Sequence, residues 1–357
     1  MAVHFHPLMV KEIKKESPDC VSIAFEIPPQ LTDDFKFTQG QNITLKATIE
    51  GEELRRSYSI CSAPFESELR VAVKKVDGGK FSAYANDYLQ KGDVLQVMPP
   101  TGKFNTMLEA GNKKQYVAFA AGSGITPIIS IIKTTLKKEA DSCFTLVYSN
   151  RSRNSIIFFE ELEGLKNKYL ERFNFVHLLS RENTDAPINS GRITTEKLQS
   201  LSTLIDYKST DDFFICGPEE IIFCVKDFLA MQDIAATKIH FELFTTPGQK
   251  NIAITTKSTN NTGQKSKVTI KLDGRTVEFY LAFESDSILE AALKQGADLP
   301  YACKGGVCAT CRAKLLRGEV TMNVNYALEP DEVARGFILT CQSHPVTESL
   351  LIDFDVK

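Results

Sequence analysis

The sequence predicts a multidomain chain: an antiparallel β domain first, an α/β domain with a parallel sheet second, and a small module of strands and a helix last. Three observations predict it. The chain has 357 residues, enough for two or three domains of ordinary size. Its early apolar stretches alternate with period two, and later ones switch to strand–helix alternation. Of nine cysteines, Cys303, Cys308, Cys311 and Cys341 crowd toward the C-terminal end.

Residues 1–108 read as β. Val21–Ile27, Asn42–Ile49, Leu69–Val76 and Val94–Met98 alternate, and turn residues such as Pro28-Pro29, Glu50-Gly51 and Asp77-Gly78-Gly79 punctuate them. Short strands at this spacing suit a small barrel or sandwich. One helix interrupts them, with Phe81, Tyr84, Ala85, Tyr88 and Leu89 on one face. Residues 109–245 alternate: a strand at Tyr116–Ala121, a helix from Pro127 to Lys138, a strand at Phe144–Tyr148, a helix at Ile157–Tyr169, then strands at Phe173–Leu179, Phe213–Cys216 and Lys238–Phe241. That order implies a parallel sheet covered on both faces. Residues 246–266, rich in Thr, Asn, Gly, Lys and Gln, read as a linker. Residues 267–357 open with a hairpin, Lys267–Leu272 and Arg275–Ala282 around Asp273-Gly274, followed by a helix at Ser287–Gln295.

Composition excludes several classes. Apolar residues make up 43% and charged residues 24%, as in a globular protein. A net charge of −3 gives no general attraction to nucleic acid. No apolar run reaches the length of about 18 residues that a membrane span needs. The most apolar stretch, Tyr116–Ile132, is broken by Gly122, Ser123, Gly124, Thr126 and Pro127. The first residues, MAVHFHPLMVKEIKKE, do not pattern as a secretion signal, so a cytoplasmic location is expected. An odd cysteine total in such a chain argues against a disulfide framework.

The four C-terminal cysteines follow the spacing C-x4-C-x2-C, then 29 residues, then C. This is the plant-type spacing for a [2Fe–2S] cluster. Three thiolates on one short loop must wrap a compact group. The small residues Gly305, Gly306, Ala309 and Thr310 let backbone N–H groups approach the sulfurs. Zinc is the rival ligand, but zinc knuckles favour two paired elements and only Cys308/Cys311 forms one. YACKGGVCATC with LTCQ resembles a plant-type ferredoxin domain. The resemblance implies an α+β, ferredoxin-like (β-grasp) fold and one-electron transfer, at potentials near roughly −400 mV.

Upstream, Arg56-Ser57-Tyr58-Ser59 ends a strand, and Gly78-Gly79-Lys80-Phe81-Ser82 opens the helix of the β domain. A guanidinium suits a diphosphate, and a glycine-rich helix N-terminus suits an anion. In the α/β segment, Gly122-Ser123-Gly124-Ile125-Thr126-Pro127 follows the first strand, where paired glycines admit a pyrophosphate. Cys216-Gly217-Pro218 follows a later strand, and Phe241-Glu242 closes the segment. This set, in this order, resembles the ferredoxin-NADP⁺ reductase superfamily. The resemblance implies an antiparallel β-barrel that binds FAD through Arg56, Tyr58, Ser59, Gly79, Lys80, Phe81 and Ser82, with FMN as the alternative. It implies a nicotinamide nucleotide held by Gly122, Gly124, Thr126, Cys216, Gly217 and Pro218. It further implies that Phe241 covers the flavin, and that Ser59, Cys216 and Glu242 surround the reacting atoms. Cys216 as a reactive free thiol is the competing reading.

Ser180-Arg181 resembles the 2′-phosphate pair of plant reductases, and Ser149, Arg151 and Arg153 are further candidates, so NADPH is favoured over NADH. The segment GEVTMNVNYALEPDEVARGFILTCQSHPV resembles the reductases of multicomponent oxygenases. As acceptor it implies the di-iron oxygenase that epoxidises phenylacetyl-CoA. A Rieske-type hydroxylase of steroid or aromatic rings, or a stand-alone NAD(P)H oxidoreductase, is the alternative. Residues 267–357 hold 10 Lys/Arg and 13 Asp/Glu against 42 and 45 in the whole chain, so the net negative charge lies there. Glu329, Asp331 and Glu332 are therefore expected to offer an acidic docking face to that acceptor.

Overall fold

The computed structural model describes residues 4–184, 186–244, 265–283 and 285–356. The chain divides into two compact units, one of His6–Leu54 with Tyr58–Phe244, the other made chiefly of the residues from Lys265 onward. Residues 246–264 of the expected linker lie outside the described residues, and its last two open a strand.

The larger unit begins with β1 (His6–Ser17), β2 (Cys20–Glu26), β3 (Asn42–Ile49), β4 (Glu52–Ser59, of which Arg55–Ser57 group with the other unit), β5 (Leu69–Lys74), α1 (Lys80–Asp87) and β6 (Val94–Val97). The strands pair in the order β4-β3-β6-β1-β2-β5. A bridge from Ile60 to Val71 joins the two edges, which closes the sheet into a barrel. Leu8, Ile23, Ile43, Val71, Val97 and Phe81 fill its interior. The longest strand, β1, was not expected. Its register shifts between Val10 and Glu12 and again between Lys15 and Ser17. Each bulge reverses which side chains point inward, so strict alternation disappears from the sequence.

The same unit continues with β7 (Gln115–Ala121), α2 (Ile125–Lys138), β8 (Cys143–Asn150), α3 (Phe159–Lys168), β9 (Phe173–Leu179), α4 (Thr195–Leu201), β10 (Asp212–Gly217), α5 (Glu219–Met231) and β11 (Ile239–Leu243). The strands form a parallel sheet in the order β11-β10-β7-β8-β9. Both α4 and α5 go beyond the sequence reading. In α5 only Ile222, Val225, Phe228 and Leu229 are buried, although most of its residues are apolar. By contrast every residue of α2 from Ile125 to Leu136 is buried. A helix apolar nearly all round must lie inside the fold.

The C-terminal end of α2 is fastened by two charged groups. Arg172 donates to the carbonyls of Leu136 at 3.0 Å and Glu139 at 2.9 Å, which complements the negative end of the helix. Glu139, fully buried, accepts from Tyr116 Oη, Ser142 Oγ, Asn112 Nδ2 and the Glu109 N–H at 2.7–3.0 Å.

The smaller unit holds β12 (Lys265–Leu272), β13 (Arg275–Ala282), α6 (Ile288–Lys294), β14 (Arg312–Arg317), β15 (Val320–Met322), α7 (Pro330–Ala334), β16 (Phe337–Leu339), β17 (Ser343–Pro345) and β18 (Ser349–Asp353). Its main sheet runs β13-β12-β18-β14-β16, with β12 parallel to β18 and the other pairs antiparallel. Helix α6 starts where expected, because Ser287 Oγ accepts from the Glu290 N–H at 3.3 Å. Ile288, Leu289 and Ala292 then pack on Val268, Ile270, Leu350 and Ile352 of the sheet. Among the described residues no helix is long and apolar enough to cross a membrane.

Replacing Glu139 by Leu is expected to destabilise the larger unit by about 3 kcal/mol, since four donors lose their shared buried acceptor. Urea unfolding followed by far-ultraviolet circular dichroism measures this; a change below about 0.5 kcal/mol, the range of ordinary surface substitutions, would contradict it.

Candidate functional site

In a parallel sheet the loops at the carboxyl ends of the strands face one way, so β7, β10 and β11 deliver their terminal residues to one place. Gly122-Ser123-Gly124 leaves β7 as a single tight turn into α2. This turn lies directly on the loop after β10. A Cβ on Gly124 would stand 2.1 Å from the Cys216 carbonyl oxygen and 2.8 Å from the Gly217 nitrogen. Only glycine permits that approach. Thr126 Oγ1 donates to Ser123 O at 3.0 Å, and Tyr148 Oη to Gly122 O at 2.8 Å, so the turn is held from two sides. No side chain caps α2, leaving its N-terminal backbone suited to a pyrophosphate.

Cys216 lies opposite Glu242 in the β10–β11 register. It is fully buried, and burial pushes its thiol well above the ordinary range, with the Glu242 charge adding to the effect. A thiol so raised is a poor nucleophile, which disfavours the reactive-thiol alternative. Across from it, Ser59 at the end of β4 donates to Glu242 Oε2 at 3.0 Å. Ser59, Cys216 and Glu242, far apart in sequence, thus meet at one point of the larger unit.

The structure places Phe241 differently from the expectation. Successive side chains of a strand point to opposite faces. With Glu242 turned toward Ser59, Phe241 turns to α5, where Lys226 Nζ stands 3.6 Å from its ring centre. Phe244, two residues after Glu242, is the aromatic that packs against the core containing Cys216.

On the barrel side, Tyr58 packs against Phe81 with ring centres 5.7 Å apart. Phe81 is 2% exposed and belongs to the barrel core, so its ring supports Tyr58 from behind. Arg56 Nη1 donates to the Arg55 carbonyl at 2.7 Å. Ser82 Oγ accepts from the Val76 N–H and donates to Gly79 O, both at 3.0 Å, which fixes the Gly78-Gly79 turn. No side chain caps α1, and Lys80 is exposed beside Glu52 at 2.7 Å. A turn shaped by its own serine, with an uncapped helix start and a cation nearby, fits a flavin diphosphate.

Two residues escaped the sequence reading. Lys74 ends β5 with its ammonium 3.9 Å from where a Cβ on Gly122 would stand, a cation beside the nucleotide turn. A lone strand-end lysine carries no sequence signal. Glu182 is the other. The loops after β8 and β9 are knit together, since Ser180 and Arg181 donate their N–H groups to Asn150 O and Arg151 O at 3.0 and 2.8 Å. These bonds bring the backbone of Asn150–Arg151 against that of Ser180–Arg181. Glu182 joins them, accepting from the Arg153 N–H at 2.6 Å.

In the smaller unit the cysteines form two pairs. Cys303 interacts most strongly with Cys308 and Cys311 with Cys341, the neighbour raising the thiols of Cys303 and Cys311 and lowering those of Cys308 and Cys341. The loop is wound tightly, with positive φ at Lys304, Gly306 and Ala309. A Cβ on Gly306 would meet Val324 O at 2.9 Å. The Gly305 N–H donates to Cys303 Sγ at 3.3 Å. Thr340 joins the two cysteine segments, its N–H and Oγ1 both donating to Cys311 O, at 3.2 and 3.0 Å. Among the described residues no group of three His, Cys, Asp or Glu is placed to hold a single metal ion. Four thiols gathered on this loop and Cys341, with a backbone N–H turned to a sulfur, suit a [2Fe–2S] cluster.

The expected acidic docking face needs correction. Glu332 is 1% exposed and ion-paired with Arg312 at 2.5 Å. Asp331 pairs with Arg335 at 3.0 Å. Of the three residues, Glu329 alone is exposed with no ion pair among those described. A buried carboxylate must be paired, and a sequence count cannot distinguish it from a surface charge.

Residues 7–106 match the family described as the oxidoreductase FAD-binding domain, residues 119–227 the oxidoreductase NAD-binding domain, and residues 270–346 the 2Fe-2S iron-sulfur cluster binding domain. The chain is 46% identical to a component of the 1,2-phenylacetyl-CoA epoxidase of Escherichia coli (strain K12), over 99% of this chain and 98% of that one. It is 32% identical to the ferredoxin reductase component of 3-ketosteroid-9-alpha-monooxygenase from Rhodococcus rhodochrous, over 97% and 96% of the two. Among solved structures, phthalate dioxygenase reductase aligns over 98% of both chains with a TM-score of 0.60 at 24% identity, a likeness of fold alone.

Gly124→Ala is expected to slow flavin reduction by the nucleotide at least ~100-fold, because the turn must lift off the Cys216 backbone. The cluster's visible absorbance should persist, since its cysteines belong to the other unit. Anaerobic stopped-flow spectroscopy reads both, and wild-type reduction rates in the variant would refute the packing argument.

Proposed function

We propose a single role for this chain, which belongs to the flavin- and [2Fe–2S]-containing reductase components of multicomponent oxygenases: it takes a hydride from NADPH and passes the electrons singly to a di-iron oxygenase that epoxidises phenylacetyl-CoA. The observation that carries the redox reading is the meeting of Ser59, Cys216 and Glu242 beside the Gly122–Gly124 turn. The choice of acceptor rests on the likeness to the epoxidase component. FAD when bound accepts the hydride's two electrons together and releases them one at a time to the cluster.

The chain's own groups do the rest. Gly122, Gly124, Thr126 and the start of α2 hold the nucleotide pyrophosphate, with Lys74 alongside. Gly217 and Pro218 turn the chain away so that Cys216 lines the nicotinamide position. Arg56 and the Gly79–Ser82 helix start hold the flavin diphosphate, and Tyr58 presents its face to the ring system. The proton that stays behind as electrons leave passes through Ser59 Oγ to the Glu242 carboxylate, 3.0 Å away. Cys303, Cys308, Cys311 and Cys341 would hold the two-iron cluster, which would carry one electron at a time. The matching domain limits are 1–108 for flavin, 109–245 for nucleotide and the residues from Lys265 onward for the cluster. The cytoplasm, which supplies NADPH and CoA thioesters, is the matching compartment.

Arg181→Ala is expected to raise KM for NADPH about 10- to 100-fold, the loss of a charged hydrogen bond worth about 1.5–3 kcal/mol, and to leave NADH nearly unaffected. Equal effects on both nucleotides would remove Arg181 from the 2′-phosphate site. For the acceptor, the chain loaded with FAD and iron is combined with NADPH and purified oxygenase components, and epoxide formation on phenylacetyl-CoA is measured. Coupled turnover with the di-iron component is expected. Turnover only with a Rieske hydroxylase would refute the acceptor, and transfer to small dyes alone would refute any oxygenase partner.

A further inference from the structure

Helix α2 carries the nucleotide turn at its N-terminus, and one face of it bears two polar residues at positions i and i+3, Ser130 and Lys133. Both are buried. Ser130 Oγ donates to the Ser62 carbonyl at 2.6 Å. Lys133 Nζ reaches Glu66 Oε2 and Glu161 Oε1, each at 2.9 Å. Ser62 and Glu66 belong to the segment that continues directly from β4, the strand bearing Tyr58 and Ser59. That segment is itself rigid. Ser62 Oγ donates to Glu68 O at 2.6 Å and accepts from the Arg70 N–H at 3.1 Å, and the second function of Glu66 Oε2 is to accept from the Ala63 N–H at 2.7 Å.

An ammonium in such a place is costly unless it is paired, and an apolar side chain of similar volume would hold the helix as firmly. Burial pushes the Lys133 ammonium down, but the carboxylates of Glu161 and Glu66 outweigh it and hold it above its ordinary value. What the charged pair adds is direction. It ties α2 to one point of the flavin-side segment, while Ser130 ties it to another one helical turn away. Two anchors on one face of a helix fix both its distance and its rotation.

We infer that Ser130 and Lys133 set the separation between the nucleotide turn and the flavin strand, which makes Lys133 a positioning residue for hydride transfer. The inference rests on the hydride-transfer reading above. The step moves one hydride, two electrons with one proton, from the reduced nicotinamide to the flavin and leaves the oxidised nucleotide. Its rate falls steeply when the reacting atoms are misplaced, by about 100-fold for 1 Å.

The test uses the full chain with flavin bound. Lys133→Met keeps the aliphatic stem and removes the charge; Glu66→Gln keeps an oxygen for the Ala63 N–H and removes the opposite charge; Lys133→Arg restores a cation. Anaerobic stopped-flow mixing with rising NADPH gives the limiting rate and the half-saturating concentration separately. Binding of NADP⁺ is followed in parallel by calorimetry and by the change it causes in the flavin absorption spectrum. The expected result is a limiting rate at least ~10-fold lower in Lys133→Met and in Glu66→Gln, half-saturation within about 2-fold of wild type, and most of the rate regained in Lys133→Arg. The NADP⁺-induced spectral change should shrink in the two slow variants while calorimetric affinity holds. A limiting rate that stays at the wild-type value while the melting temperature falls would overturn the inference, because Lys133 would then be a structural staple only. Wild-type protein that binds flavin but is not reduced by either nucleotide would overturn the underlying reading instead.

Discussion

The close approach of two backbones, the Gly122–Gly124 turn against the Cys216–Gly217 loop, is the constraint on which the larger unit depends. With 2.1 Å between a notional Cβ and a carbonyl oxygen, neither loop can move without the other. Parallel pairing of β7 with β10 and of β10 with β11 makes the contact possible, because it stacks three strand ends side by side. Glu242 then stands next to Cys216 and within reach of Ser59 from the barrel. Strand order, more than any single side chain, assembles the site.

The surrounding polar groups protect that arrangement. Glu139 and Arg172 fix the far end of α2, and Ser130 and Lys133 fix its middle. A helix buried from Ile125 to Leu136 has little water to satisfy its polar side chains, so Thr126, Ser130, Lys133 and Thr134 bond to protein groups, while Thr135 Oγ1 is buried with no hydrogen-bond partner among the described residues. These partners lie at both ends and along one face, which leaves the uncapped N-terminus as the part of α2 free to meet an anion. The smaller unit solves a similar problem with a tight loop. Three residues with positive φ wind Cys303, Cys308 and Cys311 around one point, and Thr340 brings Cys341 to it through the Cys311 carbonyl.

Local motifs were legible because their chemistry is local. The cysteine spacing, the glycines of Gly122–Gly124 and the Asp273-Gly274 hairpin each depend on a few neighbouring residues, and the structure keeps all three. Elements whose pattern is broken by tertiary geometry were not legible. Two bulges hid β1, and α5 is apolar well beyond the four residues it buries, so its pattern shows no clean stripe. Phe241 and Glu242 are adjacent letters, yet pleating sends them to opposite faces, and only the position of Ser59 decides which face is the site. Glu332 reads as surface acidity in the sequence, but the fold buries it in an ion pair with Arg312.

By itself the sequence determined the order of modules and the residue types and spacings that suit a [2Fe–2S] cluster, a flavin and a nicotinamide nucleotide. These follow from spacing within one turn or loop, where covalent connection fixes the geometry. Only the tertiary structure decided which distant residues meet: Ser59 with Glu242, Lys74 with Gly122, and Lys133 with Glu66 and Glu161. The physical reason is that such contacts are set by strand register and by helix rotation against a sheet. A shift of one residue or part of a turn changes every partner while leaving the local motifs intact.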